Sequence, residues 1–264
     1  MGEVIVVTSG KGGVGKTTTT ANIGTGLAVA GHKVALVDAD IGLRNLDVVL
    51  GLENRIVYDL VDVVNGNCRL RQALIKDKKI EGLHLLPAAQ TKDKTAVNPD
   101  QMRELCAELI QEFEYVVVDC PAGIEQGFRN AIAGADSALV VTTPEVSAVR
   151  DADRIIGLLE AAELRNPRLI INRIRPKMVR QGDMMNIEDM IDILAIDLIG
   201  VIPEDEMIVV TTNRGETVVQ NPSTRAGQAY RNIVQRIKGE NIPFMSLEET
   251  ESFMSKFKKF IGLK

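Results

Sequence analysis

The sequence predicts a single-domain α/β fold built on a doubly wound, mainly parallel sheet. Short β-branched runs alternate with longer segments of helical periodicity along most of the 264 residues. Several of these runs are apolar at consecutive positions, as strands must be when helices cover both faces of their sheet. Parallel strands joined by crossover helices produce this alternation. We predict strands at residues 4–7, 33–37, 83–86, 115–118, 138–141, 169–171 and 198–202, and helices at residues 17–30, 100–113, 151–162 and 187–195.

The composition is that of a soluble globular protein, with 45% apolar, 25% charged and 3% aromatic residues. No apolar stretch reaches the roughly 18 residues that a membrane-spanning helix needs, and residues 1–10 run into strand-like sequence rather than a signal peptide. We therefore expect a cytoplasmic protein. Cys68, Cys106 and Cys120 are widely spaced and form no C-x-x-C pair, which suggests neither a disulfide framework nor a cysteine metal site. The net charge of −5 argues against a protein that coats nucleic acid.

A glycine-rich loop directly follows the first predicted strand. It reads Gly10-Lys11-Gly12-Gly13-Val14-Gly15-Lys16-Thr17 and fits the P-loop pattern G-x-x-x-x-G-K-[ST]. Residues without side chains let successive backbone N–H groups converge on phosphate oxygens, and the dipole of the following helix adds to the attraction. Lys16 is then placed to neutralise the β- and γ-phosphates, and the Thr17 hydroxyl to bind Mg²⁺. The loop predicts a Mg²⁺–nucleotide site.

Three carboxylates that follow predicted strands complete this site. Asp119 ends the run 115–118, and Asp38 and Asp40 follow the run 33–37. The carboxyl ends of parallel strands meet at the edge where open α/β sheets bind their ligands. Asp119 is therefore the second predicted Mg²⁺ ligand beside Thr17, whereas Asp38 and Asp40 are suited to orienting a water molecule and sensing the metal. A solvated turn is the alternative for Asp38 and Asp40.

A second lysine, Lys11, stands directly after the first glycine of the loop. Residues 11–18 resemble the deviant Walker A signature of the MinD/ParA ATPases. The resemblance covers essentially the whole chain, because residues 38–47 and 119–125 are similar to the switch regions of that family, and residues 144–154 and 200–205 to further family blocks. It implies a P-loop NTPase fold, ATP and Mg²⁺ as cofactors, and ATP hydrolysis.

The resemblance also implies roles for individual residues. In the family the early lysine reaches across an ATP-sandwich dimer, so Lys11 is expected to contact the partner's phosphates. Asp40 is expected to position the attacking water and Asp38 to assist, which makes Lys11, Lys16, Asp38 and Asp40 the expected catalytic set. The expected phosphate contacts are Gly10, Lys11, Gly12, Gly13, Val14, Gly15, Lys16, Thr17 and, at the α-phosphate, Thr18. The expected adenine contacts are Asn172, Pro203 and Glu204. A capping role is the alternative for Asn172.

Residues 247–264 predict an amphipathic helix with a basic side. Apolar residues recur at helical spacing on one face, and lysines line the other. The apolar residues are Phe253, Met254, Phe257, Phe260 and Ile261, and the lysines are Lys256, Lys258 and Lys259. Such a helix lies in a lipid interface with its lysines towards anionic headgroups, and the resemblance implies a membrane-targeting segment. We therefore divide the chain into an ATPase domain, 1–242, and a linker with the targeting helix, 243–264. A terminal helix docked on its own core is the alternative.

The loop and the tail together predict a positional switch. ATP is expected to join two chains in a homodimer, and two weak anchors held together raise avidity on an anionic membrane by about 10² to 10⁴. The resemblance implies placement of the division septum by a MinC-like inhibitor recruited to the dimer. It also implies release from the inner face of the cell membrane when a MinE-like activator stimulates hydrolysis. Part of the partner face is expected at Arg150, Asp151, Asp153 and Arg154 on a predicted helix, and the ordinary exposed charges of a helix are the alternative.

Other function classes remain open at this point. A ParA-type DNA-partitioning ATPase shares the loop, but the acidic chain argues against it and the tail has no role there; no specific nucleic acid is expected as a partner. A flagellar-number-regulating ATPase of the same family also joins this ATPase to a membrane tail. Metabolic relatives of the nitrogenase iron protein need cluster-binding cysteines, and no second cysteine matches Cys120 in that pattern.

Overall fold

The computed structural model describes residues 2–164 and 166–246. The strands in these ranges are β1 (Glu3–Thr8), β2 (Val34–Asp38), β3 (Ile75–Lys76), β4 (Leu83–Leu86), β5 (Tyr115–Asp119), β6 (Ser137–Thr142), β7 (Arg168–Ile174) and β8 (Asp197–Pro203). They form one sheet in the order β3-β4-β2-β5-β1-β6-β7-β8. β3 runs antiparallel to β4, and every other neighbouring pair is parallel. The predicted doubly wound, mainly parallel α/β fold is confirmed.

Helices connect the strands and cover both faces of the sheet. They are α1 (Lys16–Val29), α2 (Leu46–Leu50), α3 (Leu60–Val64), α4 (Leu70–Ala73), α5 (Pro99–Leu109), α6 (Gln126–Ile132), α7 (Val146–Ala161), α8 (Pro176–Gln181), α9 (Ile187–Leu194), α10 (Glu206–Thr212) and α11 (Arg225–Ile237). Short 3₁₀ turns occupy Glu53–Arg55, Lys94–Ala96 and Val218–Gln220. Within the described ranges, no helix combines the length and the apolar character that crossing a membrane requires.

The core consists of two apolar layers, one on each face of the sheet. In β1, Val4 and Val6 belong to the layer that also contains residues of α5, α6, α7 and α9. Ile5 and Val7 point the other way, into the layer that contains residues of α1, α2 and α11. Because side chains alternate along a strand, a strand covered on both faces must be apolar at consecutive positions. The consecutive apolar residues of β1 thus reflect a sheet that is covered by helices on both faces.

The start of α5 lies one residue from the prediction, at a position where the sequence carries a cap. α5 begins at Pro99, and the side chains of Asn98 and Gln101 each accept a hydrogen bond from the other residue's backbone N–H, at 3.0 Å. This capping box satisfies two N–H groups that the first turn leaves free. By contrast, α7 begins at Val146, five residues before the predicted helix 151–162. Its N-cap residue, Glu145, makes no side-chain cap, so no sequence signal marks this start. The two-residue strand β3 is too short to give a pattern.

Candidate functional site

The carboxyl ends of three central strands meet at one edge of the sheet. β5 lies between β2 and β1, and the strand register places Asp119 beside both Asp38 and Val7. The chain leaves β1 at Thr8 and immediately enters the glycine loop. The loop and the carboxylates of Asp38 and Asp119 therefore share one crevice, which is the position at which open α/β sheets bind their ligands.

The glycine loop, residues 9–15, joins β1 to α1 under tight steric constraints. Gly15 has a φ of 94°, and a Cβ there would lie 2.3 Å from Nδ2 of Asn172. A Cβ on Gly10 would lie 2.2 Å from the backbone oxygen of Asp151 in α7. Both distances are far below any real Cβ contact, and a positive φ disfavours side chains at Gly15 as well. The loop needs glycine at these two positions to pack against β7 and α7.

Asn172 holds the loop from the opposite side. Its amide nitrogen donates to the carbonyl oxygen of Val14 at 2.8 Å, and its Oδ1 accepts from the backbone N–H of Arg173 at 2.9 Å. The register between β7 and β8 shifts at this point, and Arg173 has a φ of 57°. Irregularities of this kind change the direction in which a strand's side chains point, and they are frequent beside active sites. The amide nitrogen of Asn172 is thus used on the loop, and its expected contact with adenine stays a prediction.

Asp119 is the buried centre of the site and collects three side chains of α1. Its carboxylate accepts from the Thr17 hydroxyl at 2.6 Å and from the Thr20 hydroxyl at 3.1 Å. The ammonium group of Lys16 lies 3.5 Å away, and the side chains of Lys16 and Asp119 are 8% and 1% exposed. Charge-assisted contacts of this kind satisfy a carboxylate that water cannot reach. The sequence prediction missed Thr20, although its place one turn after Lys16 on α1 puts it on the same helix face.

The donor set around Asp119 fits a Mg²⁺ ion. Mg²⁺ prefers hard oxygen ligands and takes one or two from the protein, with the rest from phosphates and water. The Thr17 hydroxyl and the Asp119 carboxylate are such oxygens, 2.6 Å apart at the mouth of the loop. Clusters of three or more His, Cys, Asp or Glu side chains able to hold a metal are absent from the described residues. The arrangement suits an ion that the nucleotide brings with it.

Asp38 organises the segment that follows β2. Its carboxylate accepts from the backbone N–H groups of Asp40 at 3.0 Å, Asn45 at 3.2 Å and Leu46 at 3.1 Å. Burial of Asp38, and then the charge of Asp119, raise its pKa to about 7. The carboxylate therefore ties residues 40–46 to the end of β2. Asp40 is half-buried and lies in this tied segment.

Lys11 lies on the outer side of the loop. Its side chain is 45% exposed, and its Nζ lies 3.2 Å from the hydroxyl of Ser147 and 3.8 Å from a carboxylate oxygen of Glu145. Both partners stand at the start of α7. The two lysines of the loop thus have opposite environments, since Lys16 points into the molecule and Lys11 points along its surface.

A cavity of about 780 Å³ extends from the start of α7 to the carboxyl ends of β7 and β8. Its lining includes Glu204, Arg173 and Arg175, but not Asn172 or Pro203. Arg175 donates to Glu204 at 2.6 Å, and this hydrogen bond lowers the pKa of the Glu204 carboxyl. Sequence reasoning missed both arginines, because a strand-end arginine gives no motif. Of the three expected adenine contacts, the structure places only Glu204 on this cavity.

The remaining predicted residues fall in three places. Thr18 lies in the first turn of α1, next to the loop. Arg150, Asp153 and Arg154 are exposed on α7, whereas Asp151 is half-buried against Gly10. The expected partner face therefore adjoins the nucleotide loop. The predicted membrane residues Phe253, Met254, Lys256, Phe257, Lys258, Lys259, Phe260 and Ile261 lie outside the described residues.

Comparison with known proteins agrees with this geometry. A family model described as the CobQ/CobB/MinD/ParA nucleotide binding domain matches residues 5–218. The chain is 59% identical to the septum site-determining protein MinD of Bacillus subtilis (strain 168), with 100% of both chains covered. The relative therefore aligns over its whole length.

Two solved structures are similar in fold and sequence. The MinC:MinD cell division protein complex of Aquifex aeolicus matches with a TM-score of 0.87 and 51% identity, over 94% of this chain and 100% of that one. The septum site-determining protein MinD complexed with Mg-ADP from Pyrococcus horikoshii OT3 matches with a TM-score of 0.82 and 31% identity, over 90% and 96% of the two chains.

Proposed function

The chain belongs to the MinD/ParA family of nucleotide-binding ATPases, and on this premise we propose that ATP controls its action in septum-site determination by joining two copies into a homodimer. The chain binds nucleotide and Mg²⁺. The further steps of the proposal are that ATP is the nucleotide that joins the copies, and that the dimer is the membrane-bound, partner-recruiting form.

The contrast between the two loop lysines carries the proposal. Lys16, 8% exposed and 3.5 Å from Asp119, is committed to the interior of its own subunit. Lys11, 45% exposed on the outer side of the loop, makes surface contacts with Ser147 and Glu145. An exposed ion pair contributes about 0–1 kcal/mol to stability. Moving Lys11 away from Glu145 therefore costs little free energy. Lys11 is therefore available to the phosphates of a second subunit, where its charge acts as an arginine finger does elsewhere.

Hydrolysis follows from the residues at the strand ends. Backbone N–H groups of the loop and the Lys16 ammonium orient the phosphates, and Thr17 with Asp119 hold the ion. Mg²⁺, when bound, neutralises the charge that develops on the phosphate oxygens. Asp38 fixes residues 40–46 through three backbone hydrogen bonds. Asp40, which this segment carries, positions the attacking water.

We extend the proposal to partners on the same side of the molecule. One similar solved structure is a MinC:MinD complex, which supports a MinC-like division inhibitor as a partner of this chain. The exposed residues Arg150, Asp153 and Arg154 of α7 form part of its docking face, close to the loop. A MinE-like activator releases the protein by stimulating hydrolysis. The dimer, holding two tails, binds an anionic membrane at the inner face of the cell more tightly than one chain does.

Sedimentation with anionic vesicles tests the proposal. We expect the chain to pellet with vesicles in ATP far more than in ADP, and light scattering to show a dimer in ATP once hydrolysis is blocked by Asp40→Ala. Lys16→Ala should abolish nucleotide binding. Lys11→Ala should bind ATP but remain monomeric, whereas Lys33→Ala, an exposed lysine at the opposite end of β2, should dimerise normally. Equal vesicle binding in ATP and ADP, or a dimer with Lys11→Ala, would contradict the proposal.

A further inference from the structure

An apolar groove of about 310 Å³ lies at the edge of the sheet, between α9 and α11. Its apolar lining includes Ile187 and Ile191 of α9, Leu198 and Val201 of β8, and Phe244 and Met245 at the end of the described chain. β8 is the last strand in the sheet order, so no further strand of the described part covers its outer edge. α9 packs in one core layer and α11 in the other. The groove thus crosses an uncovered edge between the two layers.

The lining residues leave apolar surface in contact with water. Ile187, Ile191, Leu198 and Val201 are half-buried, and Phe244 is 50% exposed. Covering apolar surface is favourable because it removes that surface from water. A contiguous apolar groove on a protein surface is typical of a binding site, and a groove beside a helix suits the apolar face of another helix.

The path of the chain brings one candidate occupant to this groove. Arg236 of α11 donates to the carbonyl oxygens of Ile242 at 3.0 Å and Pro243 at 3.0 Å, and its guanidinium lies 4.1 Å from the ring centroid of Phe244. Arg225 donates to the carbonyl of Ser246 at 2.6 Å. These contacts hold residues 242–246 in place, so that Phe244 and Met245 form one wall of the groove. The described chain therefore ends at Ser246, one residue beyond the groove-lining Met245.

The charge on and after α9 is opposite to that of the lysines in residues 247–264. α9 has three acidic residues and no basic one, and Asp197 follows it at the start of β8. Glu188, Asp192 and Asp197 are exposed, and Glu188 lines the groove together with the basic Arg236, whereas Asp189 lines the cavity near β7. The spacing of residues 247–264 predicts a helix with its apolar residues on one face and Lys256, Lys258 and Lys259 beside it. Opposite charges flanking an apolar contact favour one partner and one orientation.

From these observations we propose that residues 247–264 dock into the groove between α9, α11 and β8, so that the chain itself covers the apolar face of its tail when no lipid is present. A segment tethered this closely has an effective concentration in the millimolar range. A contact whose intrinsic dissociation constant is about 0.1 mM is therefore occupied roughly nine-tenths of the time. Residues 247–264 then have two alternative binding sites, the groove and the proposed membrane surface. Docking into the groove requires neither nucleotide nor a dimer.

A single introduced tryptophan tests the docking in the full chain. The sequence contains no Trp, so the emission of Phe257→Trp reports the surroundings of the tail alone. In a lipid-free, nucleotide-free solution we expect blue-shifted emission, typical of an indole shielded from water. Adding Ile191→Glu, which places a charge in the groove, should shift the emission to that of an indole in water. Ile193→Glu is the matched control, because Ile193 is 52% exposed on the same helix and does not line the groove.

A second groove variant and a folding check complete the test. Phe244→Ser, at an exposed groove position, repeats the test in case Ile191→Glu impairs folding, and circular dichroism checks each variant. Water-like emission from the parent Phe257→Trp chain, or equal shifts with Ile191→Glu and Ile193→Glu, would overturn the proposal. A blue shift that disappears on dilution would overturn it too, because the groove would then hold the tail of a second copy.

Vesicles of phosphatidylglycerol separate this proposal from the membrane role. If the tail is docked nine-tenths of the time, Ile191→Glu should strengthen vesicle binding about tenfold, since a competing site is removed. Water-like emission without lipid, together with a blue shift on vesicles, would reject docking and keep the membrane role. Blue-shifted emission without lipid, together with no vesicle binding in ATP, would keep docking and reject the membrane role.

Discussion

The hydroxyl of Thr20 provides the sharpest test of the site's geometry. It is fully buried, and its single proton lies within reach of two acceptors at 3.1 Å, a carboxylate oxygen of Asp119 and the carbonyl oxygen of Lys16 one turn earlier. A hydrogen bond to a charged group contributes about 1.5–3 kcal/mol, and removing the donor also leaves part of a buried carboxylate unsatisfied. Thr20→Val keeps the shape of the side chain and removes the donor. We expect the free energy of unfolding to fall by about 2 kcal/mol, which lowers Tm by roughly 4–8 °C in a domain of this size.

Thr25 is a matched control on the same helix. Its hydroxyl is also fully buried, and it has no hydrogen-bond partner among the described residues. Removing an unsatisfied polar group is neutral or stabilising, so Thr25→Val should leave Tm unchanged or raise it. Thermal and urea denaturation without nucleotide measure both variants. Equal losses of stability in Thr20→Val and Thr25→Val would show that the contact with Asp119 contributes nothing, and would refute the reasoning.

Three further predictions concern the same edge of the sheet. The pKa of Asp38 is raised from 3.8 to about 7, so the folded state keeps a proton that the unfolded state releases, and the free energy of unfolding should fall as pH rises through this window. Asp38→Asn should remove that part of the slope in urea titrations at several pH values. Gly15→Ala should lower both Tm and nucleotide affinity, because its Cβ would lie 2.3 Å from Asn172. Gly31→Ala is the control: Gly31 has a φ of 96° and open space around it, so this substitution should cost only backbone strain and leave nucleotide affinity unchanged. Glu204→Gln removes an exposed ion pair and should change stability by less than about 1 kcal/mol. A nucleotide titration of Glu204→Gln that matches the parent would argue against its adenine role.

The fold was predictable because its physical signals are local and repeated. Each central strand must be apolar on both faces, so consecutive apolar residues occur again and again along the chain. The glycine loop was predictable for a similar reason, since a backbone that binds phosphate needs small residues at a fixed spacing. Asp38 and Asp119 could be assigned to one crevice from the sequence, because parallel strands end at the same edge.

The missed features depend on contacts that are distant in sequence. Asn172 donates to Val14, 158 positions away, and no local pattern indicates that a strand-end amide will be used on the loop. Arg175 reaches the cavity after the irregular register of β7 and β8. α7 begins five residues early because its position beside the loop, and not a cap, sets its first turn. Such details follow from how β7 and α7 pack around the loop, and only the folded chain reveals them.

Helix α9 contributes residues both to the cavity beside the nucleotide loop and to the groove proposed for the tail. Asn186, which caps α9, and Asp189 line the cavity beside the nucleotide loop, whereas Ile187 and Ile191 line the groove proposed for the tail. α9 has eight residues, and a displacement of the whole helix would change both surfaces together. Linkage then requires reciprocity: a docked tail that favours one nucleotide state must change the affinity for that nucleotide by the same factor. The groove proposed for the tail and the cavity beside the nucleotide loop therefore share one structural element, α9.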